Sequence, residues 1–226
     1  MLRVGLTGGL GSGKSTAARM FAAHGAHVLS SDEIGRALMQ PGQPVYAAIV
    51  AHFGNSVVAL DGSLDRAALA RIAFGTREGG GGRIDELNAI VHPAVIARQA
   101  ASIDEIAARD PDAVVIVESA LIFETKYGET EDGGSDGWHR RFDKIILITA
   151  PEELRIARFI ARTGNANALA EAARSELEAD ARRRIAQQTG DESKITHADY
   201  VLENDGSLDD LASQVDAVWR ELASAV

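Results

Sequence analysis

The sequence contains no cysteine, no long apolar run and little positive charge, and each shortage removes a class of answer. Without thiols there is no disulfide scaffold and no thiolate-held zinc or iron–sulfur site. No apolar stretch approaches the roughly 20 residues that a membrane-spanning helix requires. The amino terminus, MLRVGLTGG, breaks into glycines before the apolar core of a signal peptide could form, so a cytoplasmic location is expected. Lys and Arg number 23 against 33 Asp and Glu, a formal net charge of -10. That balance opposes general affinity for nucleic acid or for a membrane surface, and any anionic ligand must be attracted locally.

What is present suits a globular enzyme. The 226 residues, 46% hydrophobic and 25% charged, suit one domain or one domain with an inserted subdomain. Short β-prone runs at 3–7, 27–30, 113–117, 144–148 and 199–203 predict strands, and those at 113–117 and 144–148 are continuously apolar, as strands covered on both faces should be. Helical spacing follows at 14–24, after Ser31-Asp32, and near 44–53, 65–75, 84–108, 152–162, 167–188 and 207–224. Ser31 or Asp32 is placed to cap the helix that it precedes. Strands alternating with helices predict a layered α/β fold with a parallel sheet of about five strands. The stretch 32–110 carries no convincing strand and reads as a helical insertion. The glycines at 79–82 and the acidic, glycine-rich 128–137 read as loops.

The most specific motif lies at the first strand–helix junction. Gly8-Gly9-Leu10-Gly11-Ser12-Gly13-Lys14-Ser15 satisfies G-x-x-x-x-G-K-[ST], and Thr16 follows. Glycines let consecutive N–H groups turn onto phosphate oxygens, and the following helix adds its positive end. Lys14 can reach the β- and γ-phosphates, and the Ser15 hydroxyl can join a magnesium shell. A dinucleotide-binding loop fits worse, because Lys14 or Thr16 occupies the place of the third glycine. A GTPase reading can use Asp32-Glu33-Ile34-Gly35 as D-x-x-G, but N-K-x-D occurs nowhere, so ATP is the expected nucleotide.

A phosphate loop names a nucleotide and not a reaction. Asp32, the first acid after the second strand, stands where small P-loop kinases place a carboxylate that accepts the proton of the acceptor hydroxyl; helix capping is the alternative role. Arg158 and Arg162 lie one helical turn apart after the fourth strand, where a closing lid could bring them onto phosphates; a solvated helix face is the alternative. Arg182-Arg183-Arg184, preceded by Glu176, Glu178 and Asp180, reads as a salt-bridged helix surface. The six histidines show no metal-site spacing. Ile84, Leu87, Ile90, Val91 and Val95 form a packing stripe.

These strings, taken in order, resemble the dephospho-coenzyme A kinases. The likeness is carried by VGLTGGLGSGKST and VLSSD, then Pro41-Gly42, D-G-S-L-D-R-A-A-L at 61–69, Val91-His92-Pro93 and Leu121-Ile122-Phe123-Glu124. It continues through Arg184-Ile185-Ala186-Gln187-Gln188, Ala198-Asp199-Tyr200-Val201 and Asn204-Asp205-Gly206-Ser207, and so covers almost the whole chain. The resemblance implies a P-loop kinase that passes the γ-phosphoryl group of ATP to the 3′-hydroxyl of dephospho-coenzyme A. It implies an acceptor-binding insertion at 32–110 and a lid region at 151–190. Gly8, Gly9, Gly11, Ser12, Gly13, Lys14, Ser15 and Thr16 would hold the triphosphate, Asp32 would be the base, and Asn204 and Gly206 would lie near adenine. Two departures from the family stand out: Ser30 replaces the first acid of its D-x-D run, and Glu118-Ser119-Ala120 replaces Asp-x-Pro. Glu118 keeps a carboxylate at the third strand's end, either to orient Mg2+ or merely to end the strand. A monomer or a small homo-oligomer is expected.

Overall fold

The computed structural model describes residues 1–75, 82–124, 137–162 and 171–226. The predicted turn at 79–82, the acidic loop and residues 163–170 of the lid region therefore fall largely outside the described residues. Contacts divide the chain into two compact units, Met1–Leu29 with Ile106–Val226, and Ser30–Glu105.

The first unit is built on strands β1 (Leu2–Gly8), β2 (His27–Ser30), β3 (Val114–Glu118), β4 (Lys144–Thr149) and β5 (Tyr200–Glu203). They form one five-stranded parallel sheet in the order β2-β3-β1-β4-β5. Residues 114–117 and 145–148 are buried throughout, which is why the central strands are unbroken runs of Val, Ile and Leu. Register pairs Leu6 with Glu118 and Gly8 with Ile148, so β3 ends beside Leu6, two residues before the end of β1, and β4 runs one residue past Gly8. Helices α1 (Lys14–Ala23) and α9 (Leu208–Ala223) press Ala17, Phe21, Leu211 and Val215 onto Val4, Leu6, Ile116 and Ile146. The string Ala198-Asp199-Tyr200 starts β5 in register, since Asp199 accepts the Ile145 N–H and the Lys144 ammonium, each at 2.8 Å.

The second unit is helical, comprising α2 (Ser31–Leu38), α3 (Pro44–Phe53), α4 (Arg66–Phe74) and α5 (Ile84–Ala107) up to Glu105. Among its described residues the only strand-like pairing is an isolated bridge between Val58 and Leu64. Leu87, Ile90 and Val91 of the predicted stripe pack on a core of Val45, Ile49, Phe53, Val57 and Leu69. The signature at 61–69 proves to be a turn followed by a helix start. Asp61 accepts the Ser63 N–H at 2.9 Å, Tyr46 donates to the Gly62 carbonyl at 2.6 Å, Leu64 enters the core, and Asp65 caps α4 by accepting the Ala68 N–H at 2.9 Å.

The remaining helices of the first unit are α6 (Glu152–Arg162), α7 (Glu171–Ala186) and α8 (Asp191–Ile195). The short α8 is not expected from periodicity, because five residues cannot display a helical repeat. The arginine triplet is a salt-bridged surface, as expected, though with wider partners: Arg183 and Arg184 pair with Asp180, and Arg182 crosses to Glu152 and Glu153 on α6.

Candidate active site

The phosphate loop runs from Gly8, the last residue of β1, to Gly13, which stands ahead of α1. Gly13 has φ +101°, and a Cβ there would collide with the side-chain amide of Asn204. Gly11 has φ +73° and lies against the backbone of Arg155. Both positions therefore need glycine for conformation and for space. The loop's Ser12 is fully buried, and its carbonyl accepts from Asn204 Nδ2 at 2.7 Å. Lys14, the first residue of α1, donates from Nζ to the Gly8 carbonyl at 2.8 Å and the Gly9 carbonyl at 3.1 Å, which holds the ammonium over the loop.

Ser15 and Glu118 meet directly, the Ser15 hydroxyl donating to Glu118 Oε1 at 2.6 Å. β3 extends one residue beyond its predicted end, so Glu118 is the strand's last residue and opposes Leu6 in register. A hydroxyl and a carboxylate at one point suit Mg2+, which takes one or two protein oxygens and completes its octahedron with phosphate and water. Among the described residues no group of three or more His, Asp or Glu could hold a metal unaided. Thr16, the next residue, accepts from Arg19 on the exposed side of α1 at 3.3 Å.

Arg158 donates to the Asn204 carbonyl at 2.9 Å and to Asn204 Oδ1 at 3.2 Å. Asn204, just past β5 and 5% exposed, is thereby a brace between Arg158 and Ser12, with both ends of its amide engaged. Gly206 packs against the Asp210 carboxylate, within the capping box that Ser207 and Asp210 form at the start of α9. Arg162 is exposed in the last turn of α6.

Asp32 belongs to the second unit and lies in the first turn of α2. The expectation that Ser31 or Asp32 caps this helix is corrected: the cap is Ser30, whose hydroxyl accepts the Glu33 N–H at 3.4 Å. Ser31 instead accepts from Gln99 at 2.7 Å. Ser30, the residue that departs from the family's D-x-D run, thus holds the capping role, and the exposed Asp32 carboxylate is left for other work.

One contributor is absent from the sequence reading. Arg155 is 7% exposed and donates from Nε to the Leu10 carbonyl at 2.9 Å, while its guanidinium pairs with Asp191 at 3.2 Å. It precedes Arg158 by three residues and Arg162 by seven, so one stripe of α6 carries all three arginines. That spacing was a signal for Arg155. Its charge is matched by Asp191, so its direct tie to the phosphate loop is the hydrogen bond to the Leu10 carbonyl.

The family model described as dephospho-CoA kinase matches residues 2–210. A dephospho-CoA kinase from Corynebacterium glutamicum is 34% identical over 226 residues, covering 100% of both chains. One from Streptomyces avermitilis is 37% identical over 98% of this chain and 94% of its own. A crystal structure of a Thermus thermophilus protein is 34% identical and superposes with a TM-score of 0.69 over 98% of this chain and 97% of that one. The match runs through the phosphate loop, the Ser30–Glu105 unit and the strand ends alike, and the chain belongs to the dephospho-CoA kinase family.

Proposed function

We propose that this chain transfers the γ-phosphoryl group of ATP to the 3′-hydroxyl of dephospho-coenzyme A, releasing ADP and coenzyme A, the final step of coenzyme A synthesis. The observation that carries the reading is the junction of Lys14, Ser15 and Glu118, set in a chain that matches the family along residues 2–210. Backbone N–H groups from Gly9 to Thr16, together with the amino end of α1, bind the phosphates. Lys14 exchanges neutral carbonyl partners for β- and γ-phosphate oxygens, a stronger charge-assisted bond. Ser15 and Glu118 would hold Mg2+, which would supply positive charge against the phosphates.

Arg158 and Arg162 add positive charge toward the transferring group, with the 151–190 region acting as a lid. Asp32 orients the acceptor hydroxyl and takes its proton as the oxygen attacks in line. The helical unit Ser30–Glu105 would hold the acceptor. Asn204 and Gly206 would border the adenine, the side chain of Asn204 bracing the loop from behind. No helix among the described residues is long and apolar enough to cross a membrane. A cytoplasmic location and a monomer or small homo-oligomer complete the proposal.

The test is mass spectrometry of dephospho-coenzyme A after incubation with the purified protein, ATP and Mg2+, with Asp32→Asn as control. One added phosphoryl group, placed on the 3′-oxygen by fragmentation and missing with the variant, is the expected result. ADP release with other hydroxyl metabolites only would retain the kinase and defeat the acceptor.

A further inference from the structure

Leu10 has both of its backbone polar groups held by residues far along the chain. Its N–H donates to Gln188 Oε1 at 2.9 Å, and its carbonyl accepts from Arg155 Nε at 2.9 Å. Arg155 is gripped in turn by Asp191. The segment from Gln188 to Asp191 therefore reaches the phosphate loop twice, once directly and once through a buried guanidinium.

That segment is anchored by a pair that the reaction does not use. Lys194, 1% exposed, places its ammonium 2.9 Å from Glu124 Oε1, and the same oxygen accepts the Thr189 N–H at 3.2 Å. One carboxylate thus fixes the chain on both sides of Asp191. The anchor is poorly satisfied: Glu124 Oε2 is buried without a hydrogen bond, and the ammonium is close to its partner but badly aligned for one. A buried ion pair of this kind adds little stability compared with apolar residues of the same volume. Stability alone does not account for it.

We infer that Glu124 and Lys194 are positioning residues for the nucleotide, holding Gln188 and Asp191 so that Gln188 and Arg155 clamp Leu10 and set the shape of the phosphate loop. The inference rests on the assignment of residues 8–16 to ATP. It gives a task to the strings at 121–124 and 184–188, which carry the family likeness but touch no reacting group in the mechanism above. Loop shape matters because displacements of about 1 Å at a reacting centre can cost roughly 100-fold in rate.

The test uses the full chain with Lys194→Met, Glu124→Gln, the double variant, and Gln188→Ala. ATP binding with Mg2+ and no acceptor is measured by titration calorimetry, and KM for each substrate, kcat and thermal midpoint are measured beside it. Each single variant should weaken ATP about tenfold while the KM for dephospho-coenzyme A stays within about twofold. The double variant is decisive. Removing both charges should restore the thermal midpoint, because no lone buried charge remains, yet leave ATP weak, because the tether is gone. Adding Gln188→Ala to the double variant should weaken ATP less than it does in the wild type, as residues on one route are not additive. A double variant that regains both midpoint and affinity would make the pair merely structural and overturn the inference, as would singles that bind ATP normally. Should the singles not fold, the double variant and Gln188→Ala decide. A wild-type chain that does not bind ATP would instead remove the loop's assignment, and the inference with it.

Discussion

The hydroxyl of Ser15 donates to the carboxylate of Glu118 at 2.6 Å, joining the start of α1 to the last residue of β3 across 103 positions of sequence. Neither residue is needed there by the core. Ser15→Ala and Glu118→Gln should therefore keep the thermal midpoint near that of the wild type. Both should lower kcat/KM by about 10- to 100-fold, the range seen when groups that orient a metal are lost. Glu118→Gln should also need more Mg2+ for half-maximal rate, which a Mg2+ titration at fixed ATP reads directly. An unchanged Mg2+ requirement would return Glu118 to the role of a strand-ending acid.

Lys14 and Asp32 come from different units and should fail differently. Lys14→Ala removes a cation from developing phosphate charge and should cost about 100- to 1,000-fold in kcat, with weaker ATP binding. Asp32→Asn keeps the shape of the side chain and, since Ser30 is the cap, should leave α2 intact by circular dichroism. It should lower kcat by about 100- to 10,000-fold with ATP affinity unchanged. Turnover near the wild-type rate in Asp32→Asn would remove it as the base.

Much of this site is legible in the sequence because its logic is local. The loop motif fixes a strand end, a turn and a helix start within nine residues, and β2, α3 and α6 begin and end where patterning places them. Glu118 is named correctly while its strand boundary is off by one, since a charged residue ending an apolar run looks like the first residue outside it. Ser31 and Asp32 are misassigned as caps in place of Ser30 by the same ambiguity: three adjacent polar residues could each start α2, and only backbone geometry chooses. Arg155 escapes because its value depends on Leu10 and Asp191, distant in sequence. Its spacing to Arg158 marks the face of α6 that it shares, but nothing local shows that this arginine is buried against a loop and not in solvent.

The brace at Asn204 makes a sharper stability prediction. Asn204→Ala removes the donor to the buried Ser12 carbonyl and frees Arg158, and should cost about 1–3 kcal/mol. Gly13→Ala should cost about 1–2 kcal/mol from its positive φ alone, and more because the added methyl displaces Asn204. Urea unfolding checks both values. Because each change disturbs the phosphate loop, the KM for ATP should rise in parallel with the loss of stability, whereas a cut of similar cost at Val218 on α9 should leave it alone.

Acid should loosen the two units through different carboxylates. Asp143 accepts from the Arg3 guanidinium at 2.7 and 3.1 Å and from the Arg3 N–H at 2.8 Å. Hydrogen bonding to Arg3 is the main reason that its pKa is lowered, with partial burial opposing. In the helical unit, Arg83 and then His52 pull Glu86 down to about 2. A carboxylate whose folded pKa is depressed contributes stability that is fully present above its unfolded value and is lost as pH falls through the folded one. For both groups the loss should begin near pH 4 and continue downward, to about 2 for Glu86. Both pairs are substantially exposed, so solvent and salt will mute the effect, and 0.5 M NaCl should reduce it. Thermal midpoints taken from pH 7 down to pH 2.5 should therefore fall less steeply below pH 4 in Asp143→Asn and in Glu86→Gln than in the wild type, each variant having given up at neutral pH the part that the wild type loses in acid. Parallel curves for either variant would mean that its ion pair carries none of the acid sensitivity.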